Sequence, residues 1–503
     1  MHAETDAGIG RSVSSLVLIV GALTLFRLWA AARMGLAPDE TYYWLWSRFP
    51  SIGYYDHPPM IAWWISASTR LLGDSALGIR APVVLSMLVT TMGVYCTAVE
   101  LGLGRRIAGL AALWLNAMFL MGGLALIATP DSTSVMFWAL AVWALARLRR
   151  TENPLLWIVV GLLAGLGCVS KYTNLFLGLG LVTWCVADRN ARRWLTSPWL
   201  YAGGLAALAV FLPIIVWNEG HQWVSFHKQF GRIDDGGFTL RYLGEFLAGQ
   251  AGLLNPLIAV FYALALAEAF RGSNKDGRAP VLFLGSTIGP LLLYMLFHSL
   301  HDRVQGNWPA PAYPAIAILA AMSAASVVRS KFLRRMAHSV APIGIGGLAI
   351  ASALLATSVG ATLPWRTPAD LLLGWSRLTE QVERYRQQVG AGWIATTDYG
   401  LTGELAFHSA HPGSVQEIID RERYTFQPRP PSLAQQPALV LIKEKDVARY
   451  DLGACFRSVT PLAVIARPAG ARIIEKYHLF EATGAANDIL TEGCQPKEAR
   501  PIQ

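Results

Sequence analysis

The sequence predicts an all-α polytopic membrane bundle of about eleven transmembrane helices, followed by a C-terminal α/β periplasmic domain. Three observations predict it. Of the 503 residues, 53% are hydrophobic and only 15% are charged, against about a quarter charged in an ordinary soluble protein. Apolar runs close to the roughly 20 residues needed to cross a bilayer recur from residue 14 almost to residue 360. From residue 364 to residue 503 the chain turns polar and mixed, so a transmembrane domain is expected over 1–363 and a soluble domain over 364–503.

The first apolar run lacks a small-residue cleavage site and leads directly into a charged segment, so it reads as a retained first span. Further spans are expected near 80–99, 107–127, 132–146, 154–169, 173–187, 198–217, 244–270, 279–297, 308–328 and 338–360. Every second connection is basic: Arg105 and Arg106; Arg147, Arg149 and Arg150; Arg189, Arg192 and Arg193; Arg271, Lys275 and Arg278; Arg329, Lys331, Arg334 and Arg335. The positive-inside rule makes these connections cytoplasmic. With the N-terminus also inside, an odd span count puts the tail in the periplasm of a bacterial inner membrane. The net charge of +9 sits largely in these clusters, which argues against nucleic acid as a partner and for membrane lipids.

Glycine-rich patches at 161–167 and 344–347 lie inside apolar runs and read as close helix packing. Cys96, Cys168 and Cys185 also lie in apolar runs and read as packing residues. Cys455 and Cys494, in the tail, are expected to pair in an oxidising compartment. In that tail, 438–442 and 461–466 read as strands and 368–389 as helical.

The outer loops hold nearly all the unusual polar residues. Asp39 and Glu40 open the loop 35–79 beside an aromatic-rich segment that includes Tyr42, Tyr43, Trp44 and Trp46, and Asp56-His57-Pro58-Pro59 follows. Ionisable residues at the membrane edge are functional by default. Lys171, Lys228, Arg232 and Arg303 sit on the wrong side for topology signals. Snorkelling explains any one of them, whereas a phosphate-bearing ligand at the outer leaflet explains all four.

This loop resembles the first periplasmic loop of the GT-C glycosyltransferases of the protein-mannosyltransferase type. Among them it is most similar in pattern to bacterial polyprenyl-phosphate-sugar-dependent enzymes, the lipid A aminoarabinose and galacturonic acid transferases. The likeness continues in order along the chain: Thr129-Pro130-Asp131 resembles a second acidic turn and Ser170-Lys171-Tyr172 a Lys-Tyr pair at a span junction. Trp217-Asn218 with His221, Trp223, Phe226 and Gln229 resembles a later loop, Asn307-Trp308-Pro309 a late span start, and 396–408 a tail segment. One departure is His57, where the aminoarabinose branch carries lysine, which leaves the sugar open.

The resemblance implies a transmembrane glycosyltransferase domain with its catalytic loop at 35–79. It implies a polyprenyl-phosphate-linked sugar as donor and lipid A, lipopolysaccharide or protein as acceptor. Asp39 is the expected general base or acceptor-orienting carboxylate, assisted by Glu40 or Asp131. Lys171, Arg232, His57 and Arg303 are the expected donor-phosphate ligands, supplying fixed positive charge at the leaving oxygen. Tyr42, Tyr43, Asp56, Asn218, His221, His227, Asn307 and Glu404 are the expected substrate-binding residues, although His221 and His227 read more simply as surface hydrogen bonders and Glu404 as a solvated helix-face residue. No cofactor is certain; the pattern admits a divalent metal, for which Asp56 with a histidine is the nearest pairing. The alternatives are a protein O-glycosyltransferase of the same fold and a non-catalytic flippase or transporter of lipid-linked sugar. The transporter would call for broken helices in an inverted repeat.

Overall fold

The computed structural model describes residues 2–231, 237–271, 278–326, 330–357, 359 and 365–494. Arg232, Lys275 and Arg329 lie outside the described residues. The chain forms two compact units: one gathers 1–30, 57–61 and 80–352, the other 31–56, 62–79 and 353–503.

The first unit is helical. Among the described residues, five helices are long and apolar enough to cross a membrane: Ser14–Arg33, Ala76–Glu100, Pro198–Gly220, Arg278–His298 and Lys331–Ala356. The run expected as a single span at 244–270 is instead a pair, Arg241–Leu253 and Pro256–Arg271, bent by 112°. Asn255 makes the break. It takes the left-handed conformation (φ 75°) that asparagine tolerates better than most residues, its side chain accepts from Leu257 N–H at 3.2 Å, and Pro256 starts the next helix, where its missing N–H costs nothing. Counting that pair once gives up to six spans, and three apolar helices, Leu156–Ser170, Tyr172–Ala187 and Ala310–Ser326, are shorter. The expected eleven therefore corresponds, among the described residues, to five or six helices of spanning length plus shorter or broken ones. The run 107–127 is one of the broken ones, divided at Met118 into Gly104–Ala117 and Phe119–Leu124.

Side chains such as Trp114, Trp138, Trp157, Trp184 and Phe283, each at most 1% exposed, fill this unit's core. Arg147 and Arg150, at the end of Pro130–Thr151, both pair with the buried Glu100.

The second unit is built on five strands: β1 Trp393–Thr396, β2 Val415–Glu417, β3 Ala438–Lys443, β4 Phe456–Ala469 and β5 Arg472–Ala485. They form one sheet of order β2-β1-β3-β5-β4. β1 is parallel to β2 and β3, and β5 is antiparallel to both β3 and β4. β1 and β3 are buried almost throughout, which explains their unbroken apolar sequence. The helix Tyr399–His408 links β1 to β2 and packs on Pro38–Arg48, the first helix of the loop. Gly403 permits the close approach: a Cβ there would sit 2.8 Å from Thr41 Oγ1. Cys455 and Cys494 are disulfide-bonded, with Cα atoms 5.5 Å apart, inside the normal range.

Candidate active site

Pro38 occupies the first position of Pro38–Arg48, with Asp39 and Glu40 in its first turn, where carboxylates meet the positive end of the helix dipole. The two acids then diverge. Glu40 is fully buried and its Oε2 accepts from Ala37 N–H at 2.9 Å, so it caps its own helix. Asp39 is exposed. Its Oδ1 accepts from the Tyr399 hydroxyl at 2.8 Å, and Oδ2 has no hydrogen-bond partner among the described residues. Although part of its surface reaches solvent, desolvation raises the Asp39 pKa above the ordinary carboxylate value. The Asp56 and Glu40 charges reinforce that rise, while the Tyr399 hydrogen bond and Arg423 oppose it.

One turn further on, Tyr42 is buried and donates to Asp56 Oδ2 at 2.9 Å. The same oxygen takes the Arg423 guanidinium at 2.7 Å. That guanidinium lies 4.9 Å from the Tyr399 ring and 5.6 Å from the Tyr55 ring. Tyr42 in turn packs against Tyr399 and Tyr424 at 5.3 and 5.6 Å. Tyr43 is buried against Trp46 at 5.0 Å. The result is a frame of tyrosines and one arginine that holds Asp56 fixed and leaves Asp39 with an open oxygen.

A second cluster forms within the first unit. Asp131, behind Pro130 at the start of Pro130–Thr151, is nearly buried. Its Oδ1 takes Lys171 Nζ at 2.6 Å and its Oδ2 takes Asn307 Nδ2 at 2.8 Å. Lys171 caps Leu156–Ser170 and is 5% exposed; its other two N–H donors have no partner among the described residues. Beside it in the chain, Tyr172 shares a 2.9 Å hydrogen bond with Ser225 and accepts from Asn218 at 3.4 Å. Asn218 is fully buried and its side-chain oxygen has no partner among the described residues.

The remaining expected site residues do not join either cluster. His221 is exposed, stacked on Trp217 at 4.0 Å, and His227 is exposed, as a surface role requires. Arg303 is ion-paired to Glu245 at 2.9 Å. His57 is half-buried and belongs to the first unit, while its chain neighbour Asp56 belongs to the second. Glu404 is not a solvated helix-face residue. It is fully buried, 3.7 Å from His408 Nε2, because its helix face is the one that packs inward. Among the described residues no group of three or more His, Cys, Asp or Glu is arranged to hold a metal ion. Sequence reading missed Tyr399 and Arg423, whose signal is two tyrosine-bearing polar stretches, 396–408 and 421–424, in the tail.

ArnT of Cupriavidus metallidurans, solved in the apo state and bound to undecaprenyl phosphate, superposes with TM-score 0.65 at 16% identity, over 93% of this chain and 98% of that one. The fold is that of ArnT. Residues 56–217 of this chain match the dolichyl-phosphate-mannose-protein mannosyltransferase family. Lipid A galacturonosyltransferase RgtD of Rhizobium johnstonii is 30% identical over 319 residues, 61% of this chain and 64% of that one. The undecaprenyl phosphate-alpha-4-amino-4-deoxy-L-arabinose arabinosyl transferase of Pectobacterium atrosepticum is 24% identical over 388 residues, 68% of this chain and 65% of that one. The match thus spans just under two thirds of the length of either relative.

Proposed function

We propose that this chain is an inner-membrane glycosyltransferase of the GT-C type that moves a sugar from a polyprenyl-phosphate donor to lipid A or the lipopolysaccharide core. The observation that carries the reading is Asp39. Of the four acids in the two clusters, Glu40 caps a helix, Asp56 is held by Tyr42 and Arg423, and Asp131 by Lys171 and Asn307, all three buried; Asp39 is the exposed one, held by the Tyr399 hydroxyl at a single oxygen.

The chemistry needs such a group. An acceptor hydroxyl attacks the anomeric carbon, its proton passes to Asp39, and the bond from that carbon to the phosphate oxygen breaks. The electron pair leaves with the lipid phosphate. A carboxylate whose pKa is raised by its surroundings is a better base near neutral pH than an ordinary one. Lys171, with Arg232, is the proposed partner of the leaving phosphate, since charge grows there as the bond breaks. Lys171 can donate to a phosphate without leaving Asp131.

The donor class is supported by ArnT bound to undecaprenyl phosphate, and the acceptor by the two relatives named above, one of which modifies lipid A. The tail is assigned to the periplasm on the alternation of basic loops, and its disulfide suits an oxidising compartment. A phosphatase fused after residue 365 is expected to be active; activity only of a cytoplasmic reporter reverses the topology. A protein acceptor is the second reading, favoured by the mannosyltransferase match over 56–217.

Mass spectrometry of lipid A, core oligosaccharide and envelope proteins, from cells with and without the gene, separates the two. A sugar-sized mass lost from lipid A or core supports the proposal, and one lost from proteins supports the second reading. Unchanged masses in all three fractions refute glycosyl transfer to any of them. Radiolabelled transfer from a polyprenyl-phosphate sugar, lost in Asp39→Asn, tests the role of that residue.

A further inference from the structure

We infer that the first unit carries a separate site for an anionic phospholipid, which takes its phosphate head and part of one acyl chain. The site is a groove of about 630 Å³, in the size range of small-ligand pockets. It is built where the ends of three helices meet the flank of a fourth, His2–Arg33. Ser15 and Leu16 come from the start of the apolar stretch Ser14–Arg33, Arg106 and Ile107 from the start of Gly104–Ala117, Ala324 from the end of Tyr313–Ser326, and Arg334 and His338 from the start of Lys331–Ala356. Asn307, which holds Asp131, precedes the other end of Tyr313–Ser326, a helix of 14 residues. At about 1.5 Å of rise per residue, the two ends of that helix lie roughly 20 Å apart. The groove is therefore not part of the Asp131–Lys171 cluster.

Two properties of the lining point to the ligand. Its polar rim is cationic and unneutralised. Arg106 and Arg334 make no ion pair among the described residues, whereas Arg147 and Arg150 pair with Glu100, Arg193 with Glu152, and Arg241 and Arg303 with Glu245. Two guanidiniums and an imidazole around one opening, with no acid in the lining among the described residues, favour an anion, and a phosphate matches the guanidinium fork. The rest of the wall is apolar, from Leu16, Ile19, Leu110 and Leu113, and Ile19 is 45% exposed. A soluble phosphate compound leaves that wall uncovered, while a lipid covers both parts at once. Basic pockets between membrane helices on the cytoplasmic side are where anionic headgroups bind, and the sequence puts the Arg105–Arg106 and Arg334–Arg335 clusters on that side.

The test uses the full-length protein in detergent, titrated with phosphatidylglycerol or with phosphatidylcholine and read by native mass spectrometry. One retained phosphatidylglycerol, bound in preference to phosphatidylcholine, is expected. The double variant Arg106→Gln/Arg334→Gln should weaken that adduct at least tenfold, and Arg106→Lys/Arg334→Lys should restore most of it, which separates lost charge from lost folding. Arg105→Gln/Arg335→Gln removes the same charge from the same helix ends but outside the groove lining, and should leave the adduct intact. Equal weakening in both glutamine pairs, or no preference over phosphatidylcholine, overturns the inference. Displacement of the lipid by millimolar inorganic phosphate alone also overturns it, because the site would then be one for a soluble anion.

Discussion

Replacing Lys171 by methionine separates its structural from its chemical role. Lys171 Nζ and Asp131 Oδ1 are 2.6 Å apart, with side chains 7% and 4% exposed. At an effective dielectric of about 20, unit charges at that separation attract by roughly 6 kcal/mol, most of which is offset by the cost of taking both out of water. The single change removes the attraction but leaves Asp131 buried with only Asn307 for company. The expected destabilisation is therefore about 3–5 kcal/mol, the scale for breaking a buried pair from one side. Pairing it with Asp131→Asn, which keeps the shape and a hydrogen-bond acceptor for Asn307, removes the stranded charge. The double variant should melt close to the unchanged protein in a detergent thermal-shift assay. Transfer from a polyprenyl-phosphate sugar is then measured on the folded double variant. If Lys171 also meets the leaving phosphate, transfer stays at least a hundredfold down although stability has returned. Recovery of transfer together with stability would refute the phosphate role and leave the pair as a tether between helix ends.

Three further outcomes are expected. Tyr399→Phe removes the hydrogen bond that lowers the Asp39 pKa, so the acid limb of the pH–rate profile should move to higher pH; a shift to lower pH, or none, contradicts Asp39 as the base. Arg423→Met should cost about 2–3 kcal/mol, and Asp56→Asn in the same chain should recover most of it on thermal melts. That cost is below the figure for a fully buried partner because the Arg423 side chain is 19% exposed. Burial pushes the Glu417 carboxyl up to about 7 from its usual 4.5. The folded tail therefore holds a proton that the unfolded chain releases, and stability should fall by roughly 3 kcal/mol as pH rises from 4.5 to 7; Glu417→Gln should flatten that decline, and an unchanged slope would discount the residue.

Much of the site was legible because its residue types are costly where they stand. Asp131 and Lys171 stand out as polar groups at the ends of apolar runs and Asn307 through the family resemblance, and the structure brings these three together. The acidic pair Asp39-Glu40 was legible as a pair but not in its division of labour, because which carboxylate turns back onto Ala37 depends on helix geometry. Arg423 escaped because its partner Asp56 lies 367 positions away, beyond any local pattern. Buried Glu404 escaped because a single glutamate in a short helix carries no facing information until the packing partner, Pro38–Arg48, is known. The bend within 244–270 had a local signal, the Asn255-Pro256 dipeptide, that hydrophobicity alone overrides.

The bond between Cys455 and Cys494 ties the segment leading into β4 to the end of the tail, 39 residues away. Closing a loop of that length removes about 4 kcal/mol worth of freedom from the unfolded tail. The same tail supplies Arg423 and Tyr399 to the acidic loop, so a cell that inserts the helices but cannot oxidise this pair makes a protein whose proposed active-site frame is loosely held. If the tail is periplasmic and the chain transfers sugar as proposed, that transfer follows the state of the envelope's thiol-oxidising machinery, and reducing growth conditions lower it without altering synthesis of the protein.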